Sequence, residues 1–197
     1  MVAVPKGWGH GYTCTNRHNW RAAQQRIGTD EVPAFRCGPS PLNSVLSGPM
    51  MLKYGLTGAG WATVTLECGD QTVEMTASYL HDSLSQLARA ARDLGKTGSE
   101  SVVFMDEPGE HHLLLRQAND EVAEVEVVWF DDWKSWNEPV GPAQRKLLGV
   151  VRVAEFREQV ISELRRLLHE NGEEGYRKKW IQHDFPVEEL RELEAAG

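Results

Sequence analysis

The 197-residue chain has few of the features that mark secreted, membrane-spanning or disulfide-stabilised proteins. It contains only three cysteines, Cys14, Cys37 and Cys68, and an odd number at wide spacing does not make a disulfide framework. It has no uninterrupted apolar run of about 18 residues, and its N-terminus lacks the basic-then-apolar order of a secretory signal. We therefore predict a soluble protein of the cytoplasm.

The sequence also lacks the short motifs that identify common enzymes. It contains no G-x-S-x-G nucleophile elbow, H-E-x-x-H metal-binding helix, Walker A loop or G-x-G-x-x-G dinucleotide fingerprint. The glycine-rich segment 55–60 precedes a predicted strand, whereas a phosphate-binding loop leads into a helix N-terminus. We predict no cofactor. Catalysis stays open, because active-site residues can lie far apart in the chain.

Charge is distributed unevenly along the chain. Residues 1–50 carry five basic and two acidic side chains, a net charge of +3, whereas residues 51–197 carry the other 16 basic and 27 acidic side chains, a net charge of −11. An acidic surface without a basic stripe repels the phosphates of nucleic acids. We therefore expect neither nucleic acid nor a membrane as a partner, and a protein partner would match this charge best if its own surface were basic.

The first 50 residues differ from the rest in pattern as well as in charge. Proline and glycine cluster in Cys37-Gly-Pro-Ser-Pro41 and in Ser47-Gly-Pro49, and no strand alternation or helical stripe persists there. Two consecutive methionines, Met50 and Met51, precede the well-patterned part. We predict a poorly ordered leader over residues 1–50 and a single α+β domain over residues 51–197.

Alternating apolar and polar residues predict six strands in that domain. In the segment 121–130, apolar side chains occupy every second position and two glutamates stand between them. Turn signals such as Gly69-Asp70 separate the strands. The predicted strands cover residues 61–68, 71–79, 101–105, 111–117, 121–130 and 147–153.

Helical spacing of apolar residues predicts the remaining elements. Ser78 can cap the start of the first helix and Gly95 its end, and Asn171-Gly172 ends the second. The predicted helices cover residues 80–94, 155–170 and 173–181, with a last one beginning at Pro186. The order ββαββββαα predicts an α+β fold, a mostly antiparallel sheet of about six strands packed by helices on one face.

The loop after the strand with the clearest alternation is rich in aromatic and acidic residues. Four aromatic side chains fall within the eight residues 129–136, and acidic side chains stand among them. Aromatic anchors with a polar rim are typical of protein-recognition surfaces, although tryptophans also cap a core beneath long loops. We predict that this loop binds a protein partner through Trp129, Phe130, Asp131, Asp132, Trp133 and Trp136.

A second hypothesis places a site at the hairpin of residues 106–112. His111 and His112 are neighbours in a strand and should point to opposite faces, so they do not readily share a metal ion. One of them could instead pair with Asp106 or Glu110 in acid–base chemistry, and the candidate site residues are then His111, His112, Asp106 and Glu107. The protein would then be an enzyme or a small-ligand-binding protein. A third alternative is a structural homo-oligomer joined through a strand edge or the aromatic loop.

Two segments contain residue types that bind metals. An EF-hand counted from Asp131 would need glycine and glutamate where Trp136 and Pro142 stand, so the acidic loop does not fit calcium. In the first 50 residues the spacing H-x3-C-x3-H-x18-C lacks the compact ligand pairs of zinc sites. We predict no metal site. Zinc stays an alternative that would order the leader through His10, Cys14, His18 and Cys37.

Two stretches carry a family resemblance: Asp106-Glu-Pro-Gly-Glu110 through Phe130-Asp-Asp-Trp133, and Gly172-Glu-Glu-Gly-Tyr176 through Trp180 to Phe185-Pro186. Residues 51–197 resemble small, acidic, single-domain α+β proteins of uncharacterised actinobacterial families, some of which are immunity partners of toxins. The resemblance rests on no functional motif and implies no catalytic residue. Our leading hypothesis is a non-enzymatic protein-binding domain that neutralises a toxin or regulates a partner, and it rests on the acidic charge, the aromatic loop and the absence of catalytic motifs.

Overall fold

A computed structural model of the protein describes residues 49–195. The predicted leader therefore lies outside the described residues except for its last two, and Met50 already belongs to a strand. In chain order the elements are β1 (Met50–Gly58), β2 (Trp61–Cys68), β3 (Gln71–Ser78), α1 (Ser83–Thr97), β4 (Ser99–Met105), β5 (Glu110–Gln117), β6 (Val122–Phe130), a 3-10 turn (Lys134–Trp136), β7 (Gln144–Arg152), α2 (Val153–Trp180) and α3 (Val187–Ala195).

The strands form two antiparallel sheets, a three-stranded one in the order β1-β2-β3 and a four-stranded one in the order β4-β5-β6-β7. The predicted α+β class is confirmed. The number of strands was wrong, because the described part of the chain has seven strands in two sheets instead of about six in one. Each sheet follows chain order, because every strand pairs antiparallel with the next strand along the chain in the same sheet.

The strand that the sequence pattern missed is β1. Met50, Leu52 and Tyr54 point into the core and are at most 3% exposed, so the alternation is present but short. Gly55 and Gly58 then interrupt it, and glycine weakens a strand. The strand forms nevertheless, because β2 pairs with it from Met50 to Gly58. Strand β1 is thus stabilised by its pairing and burial, which the strand propensities of its residues do not reveal.

Helix α1 begins and ends three residues later than predicted. Its N-cap is Asp82, whose Oδ1 accepts a hydrogen bond from the Ser85 amide at 3.3 Å. Its C-cap is Gly98, which adopts the left-handed conformation with φ 76°. Gly95, the predicted end, lies inside the helix. The predicted helical spacing of apolar residues is confirmed, because Leu84, Leu87 and the apolar residues that follow them at this spacing are buried. The spacing does not determine which residues cap the helix.

Both sheets and all three helices contribute to one continuous apolar core among residues 49–195. The first part of α2 contributes Phe156 and Leu164 to this core, and the part after the kink contributes Tyr176 and Trp180, of which Trp180 contacts Tyr54 of β1. The kink is at Gly172, where the Asn171-Gly172 pair predicted the end of one helix and the start of another. Within the described residues, no helix is both long enough and apolar enough to cross a lipid bilayer.

The free edge of β1 is covered by one face of α2. The amides of Met50, Leu52 and Tyr54 donate to side chains that are four residues apart on the helix, at 2.9, 3.3 and 2.9 Å. Alternate strand residues and successive helical turns have similar spacings, which is why the two rows match. The accepting side chains are Glu155, Gln159 and Glu163.

Glutamine side chains cover two further edges in the same way. The Val103 amide at the edge of β4 donates to Gln86 of α1 at 2.8 Å. At the edge of β7, the side-chain amide of Gln71 accepts from the Leu148 amide at 3.2 Å and donates to the Leu148 carbonyl at 2.7 Å. These bonds occupy backbone groups that would otherwise be available to another strand, which disfavours edge-to-edge oligomers at these positions.

Candidate functional site

The connection between β6 and β7, residues 131–143, folds back over the four-stranded sheet, and we refer to it as the tryptophan loop. It contains the 3-10 turn, in which the amides of Trp136 and Asn137 donate to the carbonyls of Trp133 and Lys134, both at 3.0 Å. Asn137 ends the turn in the left-handed conformation, with φ 62°. The loop packs on the sheet face that points away from the core, where Lys134 lies over the ring of Phe130.

Glu110 anchors this turn to the sheet. Its side chain is fully buried, yet it lies on the face opposite the core. It accepts hydrogen bonds from the amide of Ser135 at 2.7 Å and from the hydroxyl of Ser135 at 2.6 Å, and the Nε2 atom of His112 lies 2.6 Å from its Oε1. A buried carboxylate needs such donors to compensate for its lost hydration. The position of the turn is thereby fixed relative to β5.

Three further hydrogen bonds hold the tryptophan loop in shape. The indole of Trp133 donates to the carbonyl of Asp106 at 2.9 Å, which joins the loop to the β4–β5 hairpin. Asp131 accepts from the amide of Gly141 at 2.8 Å and closes the loop across its base. Asp132 accepts from the amide of Trp133 at 2.8 Å. The two neighbouring aspartates therefore shape the loop through separate bonds.

The structure does not bring all six predicted binding residues into one surface. Trp129 and Phe130 are adjacent in β6 and lie on opposite faces of the sheet. Trp129 packs on His111 with ring centroids 4.5 Å apart, and it covers Gly109, where an added Cβ would lie 2.4 Å from the indole. Phe130 is only 7% exposed, beneath the loop. Phe130 therefore supports the loop, whereas Trp129 packs against the β4–β5 hairpin on the other face of the sheet.

Trp133 and Trp136 form the outward-facing part of the loop. Their ring centroids are 4.9 Å apart with an interplanar angle of 63°, an edge-to-face arrangement. Trp133 is held by its bond to Asp106, and Trp136 is 48% exposed. A large indole that is half exposed on an anchored turn is the kind of side chain that protein interfaces use as an anchor.

Negative charge surrounds this aromatic pair. Residues 129–138 contain three acids and one base, Lys134, and that base already lies 4.9 Å from the centroid of the Phe130 ring. Asp131 and Asp132 are engaged by backbone amides. In the described part of the chain, the carboxylate of Glu138 has no hydrogen bond or ion pair. The loop thus contains an exposed indole and, two residues later, a carboxylate without a partner among the described residues.

The two histidines of the hairpin have different surroundings, as their opposite directions imply. Burial lowers the pKa of His111 to about 4, so its imidazole is neutral at physiological pH, and its Nδ1 atom has no hydrogen-bond partner. His112 pairs with Glu110, on the other face, and keeps 16% of its side chain exposed. The predicted pairing of a histidine with a hairpin carboxylate is found at His112.

The Ser135–Glu110–His112 cluster does not have the geometry of an activated nucleophile. In such sites the hydroxyl donates to an imidazole, which a carboxylate then orients. Here the carboxylate lies between the other two groups, and both of its oxygens are occupied. A cavity of about 480 Å³ lies elsewhere, and none of its lining residues, which include Arg177, Asp184 and Phe185, belongs to the hairpin. The cluster acts as an anchor.

Among residues 49–195, no three His, Cys, Asp or Glu side chains are grouped so that they could hold a metal ion. The alternative zinc ligands His10, Cys14, His18 and Cys37 lie outside the described residues.

In comparisons with known proteins, no family model matches the chain, and neither a curated protein nor a solved structure shows significant similarity to it.

Sequence reasoning missed the role of Glu110 and Ser135. Glu110 stands in a run of hairpin acids, and Ser135 stands between two tryptophans, so neither shows a distinctive pattern. Their contact spans 25 positions and depends on how the loop folds over the sheet. The alternation of β6 did contain one usable signal, because neighbouring strand residues must face opposite ways and Trp129 and Phe130 could not both face a partner.

Proposed function

We propose that residues 51–197 form a non-enzymatic protein-binding domain whose contact surface is centred on Trp136. The observation that carries this proposal is the 48% exposure of the Trp136 indole on a turn that the buried Glu110 fixes in place. Tryptophan is enriched among the residues that dominate binding energy at interfaces. The proposal narrows the predicted six-residue surface to the outer pair of indoles and their acidic rim.

The anchored state of the loop supports this role. A segment that is already ordered before binding loses less conformational entropy when the partner docks. Glu110, Asp106 and Asp131 each fix a different part of the tryptophan loop, at its turn, its side and its base. The side chain of Trp136 makes none of these three hydrogen bonds. The described contacts therefore give no structural reason for the exposure of its indole.

The charge of the domain supports a basic protein as the partner. Residues 51–197 carry a net charge of −11, and the rim of the tryptophan loop is acidic. Complementary charge accelerates encounter and selects among partners more than it adds affinity. We place this function in the cytoplasm. The resemblance to immunity-type proteins makes neutralisation of a toxin the leading role and regulation of a cellular protein the alternative.

Affinity capture with three versions of the full chain tests the proposal. Wild type, Trp136→Ala and Ile181→Ala are used as baits, and the retained proteins are quantified by mass spectrometry. Ile181 is the matched control, because it is 53% exposed and lies outside the loop. We expect a partner whose capture falls at least about tenfold with Trp136→Ala, since interface anchors are worth about 2 kcal/mol or more, and is unchanged with Ile181→Ala.

Equal capture by wild type and Trp136→Ala would contradict the proposal. If a partner is found, its own activity with and without the domain separates the two roles: inhibition of a toxic activity supports an immunity function, and binding without inhibition supports regulation. Unfolding midpoints of the three baits, measured in urea, must agree so that differences in capture report contact rather than folding.

The hairpin hypothesis keeps one specific observation, the His112–Glu110 pair, in which the histidine retains 16% exposure of its side chain. A small polar ligand could reach only that imidazole, because Glu110 is fully buried. A thermal-shift screen of small anions and metabolite-like acids against wild type and His112→Gln would test this second candidate. Stabilisation of wild type alone would favour it.

A further inference from the structure

We propose that the corner formed by Trp133, Trp136 and Glu138 binds a cationic side chain of the protein partner, and specifically an arginine. This inference rests on the proposed function and adds the chemistry of the partner's anchor to it.

The aromatic part of the corner has the right shape for a cation. Indole is the best aromatic surface for a cation, which it attracts over its ring face. Trp133 and Trp136 meet edge to face at 4.9 Å, and Trp136 is 48% exposed, so solvent reaches a corner between two rings. The same loop already contains such a contact, because the Lys134 ammonium lies 4.9 Å from the centroid of Phe130. Lys134, the only basic residue of the segment 129–138, is thus already engaged with a different ring.

Glu138 supplies the counter-ion. Its amide donates to the carbonyl of Trp133 at 3.2 Å, which holds its backbone against the aromatic pair. Its carboxylate has no partner within residues 49–195, unlike those of Asp131 and Asp132, which accept backbone amides. A carboxylate accepts hydrogen bonds from the N–H edge of a guanidinium, which leaves the planar face of that group free to stack on an indole. Arginine is favoured over lysine because its planar group stacks and is more weakly hydrated.

The test uses the full chain with ¹⁵N-labelled tryptophan and short capped peptides as probes. The indole signal of Trp136 is assigned from its loss in Trp136→Phe. A glycine-flanked arginine peptide is compared with the same peptide containing citrulline, which has nearly the same shape without the charge. We expect a saturable shift of the Trp136 signal with arginine, a weaker one with lysine, and no saturable shift with citrulline.

Two variants of equal charge change separate local from general electrostatics. Glu138→Gln removes the proposed counter-ion and should weaken arginine binding about two- to fivefold, the range of an exposed ion pair. Glu74→Gln removes an exposed acid from the outer face of the three-stranded sheet and should leave the affinity unchanged. Neither residue is buried, so both variants should fold. The difference between them should shrink at about 1 M salt, where screening acts over about 3 Å.

Equal shifts with citrulline and arginine, or equal affinities of Glu138→Gln and wild type, would overturn the cation site. These outcomes are distinct from failure of the proposed function. A partner whose capture depends on Trp136, together with no response to arginine, means an apolar anchor and leaves the protein-binding role intact. If capture does not depend on Trp136, the proposed function fails whatever the peptides show.

Discussion

Two regions of the domain use a buried glutamate to hold a backbone amide from a distant part of the chain. Glu163 in α2 accepts from Tyr54 at 2.9 Å, and Glu110 in β5 accepts from Ser135 at 2.7 Å. The first glutamate is paired with Arg166 at 2.7 Å, and the second with His112. The helix around Glu163 is part of the core, whereas the loop around Ser135 lies on the outside of a sheet. The same bond therefore fastens a structural edge in one region and positions an exposed indole in the other.

The two regions differ in whether the segment bound by the glutamate can move away from it when the hydrogen bond is lost. If α2 separated from β1, buried apolar residues such as Phe156 and Leu164 would lose their packing. The turn around Ser135 has no comparable attachment, because it is mostly exposed. A broken bond should therefore leave a buried unsatisfied group at Glu163, while at Glu110 the freed loop groups can reach water. The unfolding free energy that is lost with such a bond therefore depends on the burial of the amide donor as well as on the burial of the glutamate.

The largest effect on stability is expected for Glu163→Ala. It leaves the buried Tyr54 amide without a partner in a region that cannot open, and it should lower the free energy of unfolding by about 2–3 kcal/mol. Urea unfolding followed by circular dichroism measures this. Glu158→Ala, an exposed position on the same helix, is the control and should change stability by less than about 0.5 kcal/mol. Equal costs at the two positions would refute the role given to the β1 edge.

A smaller effect, confined to acid conditions, is expected at His111. Its pKa is about 4 in the folded protein against 6.5 for the free group. Between these values the unfolded chain binds the extra proton, so stability is full above about pH 6.5 and falls as the pH falls toward 4. His111→Phe, which keeps a ring against Trp129, should remove about 2 kcal/mol of the stability loss between about pH 7 and about pH 4.5. The exposed His169→Phe should leave the acid sensitivity of the domain as it is in wild type.

The smallest effect on the unfolding free energy of the domain, about 1 kcal/mol, is expected for Glu110→Ala, because the tryptophan loop can separate from the sheet and its polar groups can bind water. Its local effect should be large. The tryptophan loop should become the first site of proteolytic cleavage, and the fluorescence anisotropy of Trp136 should fall. If Glu110→Ala lowered the unfolding free energy as much as Glu163→Ala and did not speed cleavage in the loop, the two regions would not differ in their ability to open locally.

The sequence predicted the elements of this fold better than their arrangement. Alternation and helical spacing are local, so six strands, the kink at Gly172 and the α+β class could be recognised in residues 51–197. The division into two sheets could not, because it depends on which strand edges are covered by Gln71, Gln86 and the helical face of α2. For the candidate site, composition pointed to the loop on which the proposal rests, but only the folding of that loop over β5 shows that Trp136 is exposed and that Phe130 is not.

The covering of β1 by α2 also has a consequence for the order in which the chain can acquire its structure. The partners of the β1 amides lie 105 to 109 positions further along the chain. On the ribosome, β1 and β2 can pair long before α2 has been synthesised, and the outer edge of β1 then presents its amides to any neighbouring strand. The nascent domain is thus most vulnerable to aggregation between these two events, and a chaperone that shields an extended N-terminal segment would act during that interval.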